Sequence, residues 1–176
     1  LTTSVGATCY VDGLRGTGVG QDVSIGEGIN NTVVGQGSSV TGATKNVTLV
    51  GRGLTAAVDG VVIFGDAATS EGRGSIAIGQ GASAEFTFGA AIAIGRDAEA
   101  TNGNAIAIGT LTTASGLLST TIGGFASGDY AISLGQSANA PHDNAIAVGR
   151  RATTTAANQI IIGSPDYYIG DSRLVM

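Results

Sequence analysis

The chain has 176 residues, thirty of them Gly, where an average protein carries about 7%. Gly does not recur every third residue and there are only two prolines, which excludes collagen; Cys9 is alone, which excludes a disulfide scaffold. Net charge is −5 with eight dispersed basic residues, no footprint for nucleic acid or an anionic membrane, and no apolar run approaches the roughly 20 residues of a membrane helix. Ile and Val recur throughout and charged residues are 12%, so the composition does not read as disorder. The chain begins at Leu1 without a signal peptide or initiator Met, the expectation for a processed piece or a segment of something longer.

In chain order, a short phrase recurs. It opens as TTSVG at Thr2–Gly6 and continues as TGVG at Thr17–Gly20, NTVVG at Asn31–Gly35, VTLVG at Val47–Gly51 and VVIFG at Val61–Gly65. It sharpens to SIAIG at Ser75–Gly79 and AIAIG at Ala91–Gly95 and Ala105–Gly109. It then runs as STTIG at Ser119–Gly123, AISLG at Ala131–Gly135, AIAVG at Ala145–Gly149 and QIIIG at Gln159–Gly163. The twelve closing glycines are spaced by 14 residues or close to it, with steps of 16 ending at Gly51 and Gly95 and one of 12 ending at Gly135. Gly26 competes with Gly20 as the second anchor; Gly20 keeps the step near 14.

One residue before each anchor is always apolar, from Val5 to Ile162, and three before it stands Ile, Val or Thr. Apolar residues two apart predict a strand with that face inward. Three and five residues after the anchor, small or apolar residues resume, as in Ala82 and Ala84 or Ala98 and Ala100. Each unit therefore reads as strand, Gly turn, second strand, second turn, and the 16-residue steps read as insertions at the second turn. One such unit cannot bury its apolar side alone. Stacked in register, about twelve coils make an all-β parallel solenoid roughly 55 Å long at about 4.8 Å per coil.

The 24 positions two and four before the anchors hold no charge, and they are the expected outward face of the first strand. An uncharged face with no covering layer predicts packing against other copies of the chain in a closed ring, whose number the periodicity does not set. The second strand reads as wet: Ser24, Ser39, Thr55, Thr69, Ser83 and Glu99 stand four after their anchors.

SIAIGQGASA at Ser75–Ala84, AIAIGRDAEA at Ala91–Ala100 and AISLGQSANA at Ala131–Ala140 resemble the head repeat of YadA-like trimeric autotransporter adhesins. The likeness is strong over 75–163 and weaker, though in register, over 1–74. It implies a left-handed parallel β-roll that associates as a homotrimer, displayed outside a bacterial cell. It also implies a non-enzymatic head that attaches to host extracellular matrix or to a cell-surface receptor or glycan. The roll is expected over 1–163, with 164–176 a terminal transition segment. That tail, SPDYYIGDSRLVM, also resembles the ends of repeat regions in phage tail fibres, which keeps a virion appendage, spacer or receptor-binding rod, as the alternative.

Catalytic chemistry is not indicated. His142 lies in a turn without a nucleophile, and Cys9 is expected at an inward position. GTGVGQD at Gly16–Asp22 is Gly-rich but not poised between a strand and a helix, so it is no nucleotide loop. The aspartates are expected to share no register of the calcium-binding kind, and no zinc spacing or cofactor motif is present. Thr3, Thr17, Thr32 and Thr48 form a ladder, but at expected inward positions, which argues against an ice-binding face. The nearest approach to a hydrolytic cluster is Asp66, Arg96, Asp97 and Glu99. Candidate ligand contacts are Phe86 and Phe88 in an inserted turn, Tyr130, and the Arg150–Arg151 pair.

Overall fold

The computed structural model describes residues 1–85 and 89–163, and over them the chain is a parallel β-solenoid without helix. Twelve strands, from Thr3–Val5 to Ile160–Ile162, form one continuous parallel sheet, the first wall, and bound eleven complete turns. The anchors stack as predicted: Gly20 pairs with Gly35, Gly35 with Gly51 and Gly51 with Gly65, which settles Gly20 over Gly26. The opposite wall is built of two-residue strands in a four-stranded and a six-stranded sheet, broken between Thr55–Ala56 and Thr69–Ser70. The insertion before Gly51 lies in the second corner, where Thr44–Lys45 pairs with Gly28–Ile29. Part of the insertion before Gly95 lies outside the described residues.

The facing of the first wall is the reverse of the sequence expectation. Positions two and four before the anchor are the core: Leu49, Ile63, Ala77, Ala93, Ala107 and Ala147 are fully buried. The Ile and Val columns one and three before the anchor point away from the core and are half-buried, as in Ile76, Ile78, Ile92 and Ile94. The second wall turns Ala82, Ala84, Ala98 and Ala100 inward as expected. The error is one of parity. Eleven of the anchor glycines have φ between +126° and +151°, and in the ten of these corners described in full, from Gly6 to Gly149, the residue two further on is left-handed as well, from Asp97 at 52° to Gly53 at 64°. Two positive-φ residues in one corner swing the chain round so that inside–outside alternation is not carried across it. A thin interior then takes the small residues, and the large Ile and Val are left outside.

Core width changes along the rod. Up to Ile63 the fully buried side chains are large, with Ile25, Val33, Val40, Leu49 and Leu54; from Ala77 onward the core is built almost wholly of Ala. The second wall breaks at this change. Near the start, where Val11 and Val23 are large, Gly16 and Gly18 face them: a Cβ at Gly16 would lie 2.5 Å from Val11 Cγ1, and one at Gly18 would lie 2.8 Å from Cys9 Sγ. GTGVGQD is thus a strand with side-chain-free core positions, not a loop.

The 12-residue step ending at Gly135 falls at the first corner. Ala126 pairs with Ala114 and Ala140, so it stands five and not three places beyond the anchor position, and Gly123–Gly124 alone make the corner. Gly124 tolerates no side chain, since a Cβ there would lie 2.3 Å from the Ala138 carbonyl oxygen.

Candidate functional site

The functional surface of a solenoid is its faces and corners. The outward face of the first wall carries the column Thr3, Thr17, Thr32, Thr48, Val62, Ile76, Ile92, Ile106, Thr120, Ile132, Ile146, Ile160 beside the column from Val5 to Ile162. No charge interrupts these columns, and the parallel register lays them as an apolar strip about 55 Å long. Monomeric proteins rarely leave such a patch bare. The wall expected to self-associate thus presents Ile and Val, and the uncharged Ala column expected on its surface is core. The Thr ladder stands on this outward strip too, which removes the burial argument against an ice-binding face.

The first corner holds a polar ladder one residue after the anchors. Gln36 Nε2 donates to Gln21 Oε1 at 3.3 Å, and Arg52 donates through Nε to Asp66 Oδ1 at 3.0 Å and through Nη2 to Asp66 Oδ2. The guanidinium hydrogen bond holds the Asp66 carboxyl below the usual carboxylate range, and Asp66 raises the Arg52 guanidinium in return. Asp66 is thus tied one coil back, while Arg96 Nε meets Asp97 Oδ2 at 3.7 Å. The four residues weighed as a hydrolytic cluster do not form one network.

The second corner is a four-residue turn whose third residue is left-handed. Asn104, Leu118, Tyr130 and Asn144 occupy that place with φ of 54° to 58°, and the carbonyls of Asn102, Gly116, Gly128 and His142 accept the closing bonds from Ala105, Ser119, Ala131 and Ala145. This geometry is a type II turn, and it explains an Asn/Gly column that the sequence reading missed: Asn30, Asn46, Gly60, Gly74, Asn104, Asn144 and Asn158, each five before an anchor.

Aspartates do share a register, contrary to expectation. Asp59, Asp129 and Asp143 all lie six before an anchor, and their Oδ1 atoms accept from the backbone N–H of Lys45, Leu117 and Asp129 one coil earlier, at 2.8–3.0 Å. They tie coils together. Among the described residues no group of three or more His, Cys, Asp or Glu is arranged to hold a metal ion.

Of the candidate ligand contacts, Phe86 and Phe88 lie outside the described residues. Arg150 and Arg151 are exposed in the first corner, Arg151 in its left-handed position, and Tyr130 is exposed in the second. The structure does not bring the arginines and Tyr130 into one corner. Cys9 packs half-buried against the end of the core. A shallow groove of about 290 Å³ beside the inserted Gly28–Ile29 and Thr44–Lys45 strands is lined by Asp12, Leu14, Glu27 and Lys45 among others. Among the described residues no helix is long and apolar enough to cross a membrane.

These features define a repeat protein of the parallel β-solenoid class, with an apolar wall, a polar wall and ladders along its corners. The family model of the YadA head domain repeat (2 copies) matches residues 64–87, 90–112 and 126–152, so the chain carries YadA-like head repeats. Adhesins built on that repeat are surface-exposed homotrimers and in general non-enzymatic. The match begins where the core turns to Ala and skips 113–125, which includes the shortened corner. No curated protein matches the chain.

Proposed function

We propose that this chain is the head region of a non-enzymatic trimeric adhesin, three rolls packed through their first walls and displayed outside a bacterial cell. The observation that carries the reading is the uncharged Ile/Val/Thr strip on the outward face of the first wall, on a chain with YadA-like head repeats. Three rolls facing one axis hide the strip, and a closed ring stops further assembly. The second wall then faces outward with Ser24, Ser39, Thr55, Thr69, Ser83 and Asn139, a polar surface shown in three copies. Repeated weak contacts on such a surface add by avidity, which suits attachment to extracellular matrix or to a cell-surface receptor or glycan. Arg150 and Arg151, with Phe86 and Phe88, are the proposed contacts. Sedimentation equilibrium of the purified chain is expected to give a trimer; a stable folded monomer at micromolar concentration overturns the reading. For the ligand, beads coated with the chain are expected to adhere to immobilised matrix or to host cells. Arg150→Ser with Arg151→Asn is expected to weaken that adhesion, and unchanged adhesion removes the pair.

A further inference from the structure

Between residues 35 and 159, every exposed large apolar side chain among the described residues falls within 111–130: Leu111, Leu118, Ile122, Phe125 and Tyr130, exposed by 44–59%. Phe125 lies on the second wall; the other four lie at or beside the corners. Leu111 holds the left-handed place of the first corner at φ 56°, and Leu118 and Tyr130 hold that of the second on successive coils, at 54° and 58°. The same columns elsewhere favour Gly, Asn, Asp or Ser. A bulky residue in this conformation is strained against one that adopts it freely, and here it also leaves apolar surface in water. One coil beyond Leu111 the first corner is shortened to Gly123–Gly124, which carry no side chains, and Ile122 beside them is 48% exposed. The first corner is thus bare of side chains at Gly123–Gly124, at the level where the second carries the exposed Leu118 and Tyr130.

Cyclic symmetry decides what meets what. When rolls are arranged around an axis with their first walls inward, each first corner abuts the second corner of the next roll at equal height, and no corner meets its own copy. We propose that residues 111–130 form an intersubunit lock, in which Leu118 and Tyr130 of one subunit seat against Leu111, Ile122 and the Gly123–Gly124 corner of its neighbour. The lock rests on the trimeric reading above and adds to it the register: the corner contact fixes the relative height of the subunits, which a uniform Ile/Val strip alone leaves free to slip by whole coils.

The test pairs cysteines in a Cys9→Ser background. Leu111→Cys with Leu118→Cys, which lie on one coil, is expected under a mild oxidant to give a reducible covalent trimer on a non-reducing gel, and either single variant is expected to give none. The two sites occupy opposite corners of one roll, so a bond within one chain does not compete. A protein that sediments as a trimer yet forms no cross-link overturns the lock and leaves the trimer standing; a protein that sediments as a monomer overturns the trimer itself. A disulfide dimer from Leu111→Cys alone overturns the corner pairing. As a second measure, Leu118→Asn with Tyr130→Asn places in both turns the residue their columns favour, so each roll still folds, and the trimer is expected to dissociate at least about tenfold more readily. Unchanged dissociation overturns the lock.

Discussion

The corner glycines are required by contact as much as by backbone conformation. A Cβ at Gly51 would stand 1.7 Å from the carbonyl oxygen of Gly65 in the next coil, and φ there is already +146°. Gly51→Ala is therefore expected to cost at least about 3 kcal/mol, measured as a drop in the denaturation midpoint, because neither carbonyl nor Cβ has room to yield. Two residues past an anchor the demand is different. Ala67 is left-handed at φ 53° in a column where Gly37, Gly53 and Gly81 stand, and Ala67→Gly is expected to stabilise by about 1 kcal/mol. Opposite signs for these two changes separate close stacking from simple backbone preference. Charge acts at this scale too. Asp66 is held below the usual carboxylate range by the hydrogen bond from Arg52. Its contribution is present above the unfolded-state value and is lost as pH falls through the folded-state value. A melting series from about pH 6 to pH 3 is expected to fall less steeply in Asp66→Asn than in the parent, and added salt is expected to shrink the difference because the pair is exposed.

At the level of the strand, the two residues of each Ile-Ala pair play opposite parts. Ala107 is fully buried between walls, whereas Ile106 faces out, half-buried. Ala107→Leu is expected to cost about 1–3 kcal/mol through overpacking, at any protein concentration. Ile106→Thr copies a residue that the same column already holds at Thr120, so its effect is expected in association, as a melting temperature that falls most at low protein concentration. Inward-facing Ile, the reading that strand alternation favours, ranks the two changes the other way round. How much was legible follows from this case. Period, anchors, walls and the parallel stack all follow from columns of residue type that recur twelve times. Facing did not, because −2 and −4 are as uncharged as −1 and −3, and the corner that decides between them takes its geometry from positive-φ residues as unlike as Thr8, Ala67, Leu111 and Arg151. The Asn column of the second corner was readable at the same period. The shortened corner was not placed, because Ala126 and Gly128 fit two different columns equally well until the strand Phe125–Ala126 is paired.

The whole rod is continuous on one side and divided on the other. The first wall runs unbroken through Thr48–Arg52, Val62–Asp66 and Ile76–Ile78, so the two halves share one sheet. The second wall stops at Thr55–Ala56 and resumes at Thr69–Ser70, where the fully buried residue on that wall changes from Leu54 to Ala68. Walls spaced by Leu and Val stand further apart than walls spaced by Ala, so the thinner half must step inward, and the short strands of the second wall give way first. The step leaves a mark in hydrogen bonding. Ser39 and Thr41 donate to Leu54 and Ala56 in the next coil, and Thr69 and Glu71 donate to Ala82 and Ala84. Among the described residues no such ladder bond runs from Thr55 or Ala57 to Ala68 or Ser70, and the Ser70 hydroxyl is buried there without a partner. Solenoid stability is a sum of coil and nearest-neighbour terms, so one weak junction is felt locally and not averaged away. Amide hydrogen exchange is expected to show Thr55 and Ala57 exchanging at least about tenfold faster than Ser39, Thr41, Thr69 and Glu71, while Val62 and Leu49 on the first wall stay protected. Equal protection along the second wall would mean that the wall is continuous and that the change of core residues is absorbed without a step.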